Sequence, residues 1–254
     1  MFGVLLATTG ACSLVISVPT DEYANGAVVS GPDAADGASS GADAPRDVRA
    51  PVAACGDATF CETFDEGPLG AKWPEQDTDD GELALAPSSV GPPNALRVKL
   101  PERASSERER VASLARSFPF PTRARCDFDL FAAGGPPGTN DVELLALRAR
   151  NGGTHYSLHV KLRNDALRVR ESITGESTTS SEVPRTFREG AWVHVVLEAE
   201  MGKQAVVTFG QETATLMLRA FGGSQFALSL GETGDNGRWG FEVLIDNVAC
   251  TFTP

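Results

Sequence analysis

The segment THYSLHVKLR, residues 154–163, places His155 and His159 four positions apart around Ser157. On an extended chain these share a face, because side chains alternate with a period of two. Two imidazoles so disposed could ligate a transition metal or move a proton, but no third metal ligand accompanies them. Tyr156 lies between them and falls on the opposite face. Just upstream, NDVELLALRAR offers Glu143 and Asp141, and unbroken alternation turns Glu143 the same way as Leu145 and Leu147. Cleaving a glycosidic bond takes two flanking carboxylates; Asp141 is the only other acid in this segment, so the second catalytic carboxylate is missing. There is no HExxH and no CxxC pair. No catalytic set is assembled, and Glu143, His155 and His159 are expected to serve as ligand-binding groups.

The composition narrows the partners. A formal net charge of −12, from 22 Lys and Arg against 34 Asp and Glu, disfavours nucleic acid and anionic lipid surfaces, which require a positive footprint. Aromatic residues are scarce at 7%, while 26 Gly and 16 Pro supply the punctuation of a turn-rich chain.

Five cysteines, Cys12, Cys55, Cys61, Cys126 and Cys250, leave one over after pairing. Residues 1–17 form an apolar run too short for a membrane span and suited to a signal-peptide core. TGAC, ending at Cys12, resembles a bacterial lipobox, in which small residues precede a cysteine that is lipidated and becomes the mature N-terminus. Gly10 and Ala11 fit the pattern. Thr9 stands where Leu is preferred, and no basic residue follows Met1. Ser13 matches the sorting signal for the outer membrane. Lipidation of Cys12 would leave four cysteines to pair completely. Residues 18–54 are rich in Ala, Asp, Gly, Ser and Pro with almost nothing large and apolar, a composition that cannot offset the entropy of ordering. This stretch reads as a disordered tether with a root-mean-square reach of about 35 Å.

From residue 55 to 254 the period is two. ALRVRESI sets Leu167, Val169 and Ile173 on one face against Arg168, Arg170 and Ser172; VHVVLEAEM sets Val193, Val195, Leu197, Ala199 and Met201 against His194, Glu198 and Glu200. LRVKL, RCDFDLF, VELLALRAR, YSLHVKLR, AVVTF, ATLMLR, FALSLG and FEVLIDNVACTF read as further strands, divided by turn signals such as RNGGT and FGGS. PERASSERERVASL reads as a charged loop running into a strand. A dozen short strands, each half apolar, must cover one another as two antiparallel sheets. The expected fold is all-β, a two-sheet sandwich.

FCETFDEGPLGAKW, YSLHVKLRNDALRVRE, GAWVHVVLEAEMGKQAVVTFG and FEVLIDNV together resemble the concanavalin A-like, laminin G-like jelly rolls, particularly those of bacterial envelope lipoproteins, over residues 58–253. The resemblance implies a last strand returning beside an early one, with RCDFDLF as its neighbour, which brings Cys126 to Cys250 and leaves Cys55 to pair with Cys61. It also implies a structural calcium ion held by Glu62 or Asp65 and by Asp246; the competing reading makes Asp246 and Asn247 strand-end groups bonded to a turn backbone. No cofactor is required. Hydrolases similar to this fold carry ExDxxE on one strand. Its lyases use Arg or Gln with His and Tyr, within RxELR and YFKxGxY strings that are absent here.

The function expected is an envelope-anchored, lectin-like module for carbohydrate, with Tyr156, Trp73 and Trp239 as stacking candidates. A structural or adhesive surface protein with a protein partner is the alternative, and a polysaccharide lyase or hydrolase the third. For Trp73 and Trp239, burial in the core is the competing reading.

Overall fold

The computed structural model describes residues 55–90, 93–102, 110–132, 141–163, 166–184, 190–234 and 240–254. Cys12, the tether and Trp239 lie outside the described residues. Along the chain run β1 (Phe60–Glu62), β2 (Glu75–Asp77), β3 (Glu82–Pro87), β4 (Asn94–Leu100), β5 (Arg110–Pro119), β6 (Arg123–Ala132), β7 (Val142–Asn151), β8 (Thr154–Leu162), β9 (Ala166–Ile173), β10 (Thr179–Pro184), β11 (Trp192–Glu200), β12 (Gln204–Phe209), β13 (Glu212–Met217), β14 (Gln225–Gly234) and β15 (Phe241–Thr253).

These strands build two antiparallel sheets in a jelly-roll sandwich. One has eight strands in the order β13-β12-β11-β6-β15-β4-β3, with β1 pairing on β15; the other has seven in the order β10-β9-β8-β7-β14-β5-β2. The apolar halves of the alternating strands face each other. Leu96, Phe128, Leu130, Val195 and Ile245 from the first sheet and Leu114, Leu145, Leu158, Val160 and Leu228 from the second are wholly buried. At one end the interior is aromatic: Phe252 of β15 lies 4.8 Å from both Phe118 and Phe226 of the opposite sheet, between ring centroids.

The C-terminal strand is central in its sheet. β15 pairs with β6 in the register Cys250↔Cys126, and the two sulfurs are bonded across 124 residues of chain. Cys55 is bonded to Cys61. Both disulfides are thus those expected from the resemblance, and they suit a protein that folds in an oxidising, extracytoplasmic compartment.

Two irregularities re-aim side chains. In β7 the register on β8 shifts between Glu143 and Leu145, so that Glu143 opposes Lys161 while Leu145 opposes Val160. This bulge corrects the expectation from unbroken alternation: Leu145 and Leu147 point inward and Glu143 points outward. In β15 the register shifts between Asp246 and Ala249, with Asn247 at a positive φ of 51°. On β14, Gly231 is obligatory. Its φ is 124°, and a Cβ there would stand 2.3 Å from the Ala112 carbonyl oxygen on β5.

Candidate functional site

The outward halves of β5, β14, β7, β8, β9 and β10 form one continuous surface whose composition follows from the strand registers. One row across the sheet reads Ser117, Ala227, Arg148, Ser157, Ser172; the next reads Ala115, Ser229, Ala146, His159, Arg170, Ser180; beyond them Arg150 opposes His155. Most of these side chains are small, so the surface is hollowed where they lie. An open groove of about 360 Å³ runs over Ser117, Ala227 and Ser157, edged by Arg148, Arg150 and His155.

One side of the groove is held by an ion-pair clamp. Glu143, 4% exposed, accepts from Arg148 Nη2 on one carboxylate oxygen and faces His159 Nδ1 with the other. Arg148 Nη1 donates to Ser229 Oγ at 3.1 Å. Burial alone would raise the Glu143 carboxyl, but the His159 hydrogen bond and the charges of Arg148 and Lys161 outweigh it and hold the carboxyl below its usual range. Glu143 is therefore an ionised acceptor with both oxygens engaged. It is no proton donor near neutral pH. Asp141, the other acid in the segment, is paired with Arg163 at 3.0 Å and Arg168 at 2.8 Å. The third row, Glu143, Lys161, Arg168 and Glu182, balances its own charge.

The bulge thus unites the predicted Glu143 and His159 with Arg148 and Ser229, which sequence reasoning missed, and His155 stands on the same face. Two other candidates are corrected. Tyr156 points inward at 2% exposure, stacked on Phe221 at 5.0 Å, and burial followed by the charge of Glu171 pushes its phenol up. Trp73 is 1% exposed and packs edge-on against Phe60 at 4.8 Å. Neither offers a ring to a ligand. The chain has only two tyrosines, the other being Tyr23, so among the described residues the groove has no tyrosine to donate a proton.

The calcium ligands implied by the resemblance are otherwise engaged. Glu62 Oε1 accepts from the Phe64 backbone N–H at 3.0 Å and pairs with Lys72, and Asp65 Oδ1 accepts from the Asn94 backbone N–H at 2.9 Å. Asp246 is wholly buried, with Oδ2 accepting from Ser88 Oγ at 2.5 Å and Oδ1 from its neighbour's backbone, the Asn247 N–H, at 2.7 Å. Burial pushes its carboxyl up to about 6, with Asp65 and Asp129 adding to the rise. Among the described residues no three His, Cys, Asp or Glu side chains could hold a metal ion. With Oδ1 bonded to the backbone of Asn247 and Oδ2 to Ser88, Asp246 takes the part of a strand-end group bonded to a turn backbone, the competing reading given above.

The outer face of the eight-stranded sheet has its own hollow, of about 390 Å³, lined by Arg123, Arg125, Glu198, Glu200 and Thr251. There each cation is matched: Arg125 with Asp127 and Glu198, Arg123 and Lys203 with Glu200. Above it, His194 Nδ1 lies 2.9 Å from Asp129 Oδ1, and Asn247 Nδ2 donates to Asp129 Oδ2 at 2.9 Å. Trp192, read from sequence as the start of an apolar strand, is half-buried on this outer face against Phe131, at 5.6 Å between centroids.

No family model matches the chain, and no curated protein does. Among solved structures the sandwich is similar to a cellulose induced protein, Cip1, with a TM-score of 0.57 and 12% identity, covering 76% of this chain and 96% of that one. It is also similar to botulinum neurotoxin type C, in a structure titled by the dependence of cell entry on two ganglioside molecules (TM-score 0.51, 8% identity, 78% of this chain and 48% of that one). The binding domain of botulinum neurotoxin serotype G is a further likeness, at a TM-score of 0.50 and 7% identity, over 77% of this chain and 48% of that one. At these identities the likeness is one of fold.

Proposed function

We propose that the chain is a noncatalytic carbohydrate-binding domain, displayed at the cell envelope by a lipidated Cys12 and the tether of residues 18–54. The observation that carries the reading is the open groove on the outer face of the seven-stranded sheet, floored by serine and alanine and edged by hydrogen-bonding side chains. Sugars are polyols, and a shallow polar trough on rigid strands suits them. The noncatalytic part rests on Glu143 being ionised and clamped, on Asp141 being paired, and on the inward turn of Tyr156. Gangliosides, named for one of the similar structures, are ligands of the same broad kind. A protein partner would be favoured by a contiguous exposed apolar patch. Among the described residues the exposed large hydrophobics are Leu85 and Met217, on separate edge strands.

The test is a glycan array probed with the full chain. Binding to one glycan class, lost in a folded Arg148→Ala variant, is expected; a folded wild-type chain that binds no glycan overturns the proposal. Mass analysis of the exported protein tests the anchor: a diacylglyceryl modification on Cys12 is expected, and an unmodified N-terminus elsewhere contradicts it.

A further inference from the structure

The groove lacks what neutral-sugar recognition commonly uses. Tyr156 and Phe226 also line the groove, but at 2% and 3% exposure their rings are turned into the core and leave a pyranose ring no aromatic plane there to stack on. What the face holds in quantity is positive charge. Arg148 stands in the first row, Arg170 in the second and Arg150 opposite His155 beyond the first, with His155 and His159 between them, and Glu143 reaches in to Arg148 and His159. Arg150 bonds only the Gly152 carbonyl, at 2.9 Å, and Arg170 has no carboxylate partner among the described residues. Arg148, Arg150 and Arg170 against Glu143 leave a surplus of two positive charges on β7 to β9, on a chain whose net charge is −12; Glu75 and Asp77 stand at the far edge of the same face, on β2. On the other sheet comparable arginines are each neutralised by a neighbouring acid, so the excess is particular to this face.

Resting on the carbohydrate reading above, we infer that the outer face of the seven-stranded sheet binds an anionic glycan whose sugars carry carboxylates, with Arg148 and Arg170 as the principal contacts and Arg150 at the groove's end. The guanidinium fork matches a carboxylate in two parallel N–H···O bonds. Arg148 is pre-positioned for this: each of its terminal nitrogens is anchored by one hydrogen, to Ser229 or Glu143, and keeps a second to donate, and its side chain is 41% exposed. Adjacent strands lie about 4.8 Å apart and alternate residues about 6.8 Å apart, so Arg148 and Arg170, offset by one row and two strands, leave the backbone about 12 Å apart and reach carboxylates on different sugar units of one chain. The serines between them face the ring hydroxyls.

The experiment is calorimetric titration of the full chain with hexasaccharides of a polyuronate and of a neutral glucan, and with polyglutamate of matched charge. Binding of the uronate is expected. It should weaken about tenfold in Arg148→Gln/Arg170→Gln and about tenfold as NaCl rises from 50 to 500 mM, since exposed ion pairs are screened at high salt. Equal or tighter binding of the neutral glucan overturns the inference and leaves the carbohydrate reading standing. Equal binding of polyglutamate overturns it as a statement about sugars, and uronate affinity unchanged in the folded double variant overturns the face assigned. Binding of no oligosaccharide of either kind, by a chain that also fails on the array, removes both.

Discussion

On the outer face of the eight-stranded sheet, Arg123, Arg125 and Lys203 each rest against Asp127, Glu198 or Glu200, and Trp192 leans on Phe131; on the outer face of the seven-stranded sheet, Arg150 and Arg170 meet no carboxylate among the described residues, and the floor is serine and alanine. Both faces hold a histidine against a carboxylate, His194 with Asp129 and His159 with Glu143. The first network is closed on itself. The second leaves donors over. A satisfied charge network stabilises a surface, whereas unspent donors around a shallow trough are what a ligand can complete. The sheets also differ within: the eight-stranded one is stapled between β6 and β15 by Cys126–Cys250, while the disulfides leave the seven-stranded one untouched.

The largest expected effect comes from removing that staple. Cys126→Ala/Cys250→Ala releases a loop of 124 residues and should lower stability by about 5 kcal/mol on loop-entropy grounds, read as a drop in the urea midpoint. A change under about 1 kcal/mol would mean that β15 is held by its ladder alone.

Next is the clamp. Glu143→Ala strands Arg148, His159 and Lys161 together and should cost about 2 kcal/mol, discounted from the buried-pair range because Arg148 is partly exposed. Its pH dependence has a definite sign. The folded carboxyl sits below its usual range, so Glu143 adds stability above the unfolded pKa near 4.5, and this is lost as pH falls through the folded value. The penalty for the variant should be full at pH 7 and shrink in acid.

Asp246 runs the other way. Its folded carboxyl is raised to about 6, so its contribution to stability is full below the unfolded pKa near 3.8 and is lost as pH rises through about 6. Asp246→Asn keeps both hydrogen bonds, Oδ1 accepting from the Asn247 N–H and Nδ2 donating to Ser88. It should stabilise the protein by about 1–2 kcal/mol at pH 8 and by almost nothing at pH 4. Thermal melts at the two pH values decide this. The smallest effect is expected from calcium: with the Glu62, Asp65 and Asp246 oxygens engaged within the protein, melting in millimolar calcium and in chelator should coincide, and a calcium-dependent rise of several degrees would show that the ion displaces those hydrogen bonds.

Alternation made most of the sandwich legible. The segments read as strands correspond to β4, β6 to β9 and β11 to β15, and ALRVRESI coincides with β9 from Ala166 to Ile173. Short edge pieces gave no such signal: β2 is Glu-Gln-Asp, exposed throughout, and β10 begins Thr-Ser-Ser-Glu, with no apolar repeat to count. The site was half legible. His155 and His159 sharing a face follows from period two, but the bulge that turns Glu143 outward is a matter of register between β7 and β8 and has no mark in either strand. Ser229 meets Arg148 because β14 enters the sheet next to β7, a neighbour far along the chain. Turn-rich surroundings left Trp73 open between stacking and the core, and the structure takes the core reading, since the segment after β1 folds back onto Phe60 and buries it.

The chain's three histidines give the most direct test of where the ligand lies, because His155 and His159 report the outer face of the seven-stranded sheet and His194 that of the other. Imidazole resonances followed by NMR during titration with the glycan selected on the array should move for His155 and His159 and stay fixed for His194. Movement of His194 with the other two unchanged would contradict the account and transfer the binding face to the Trp192–Phe131 side.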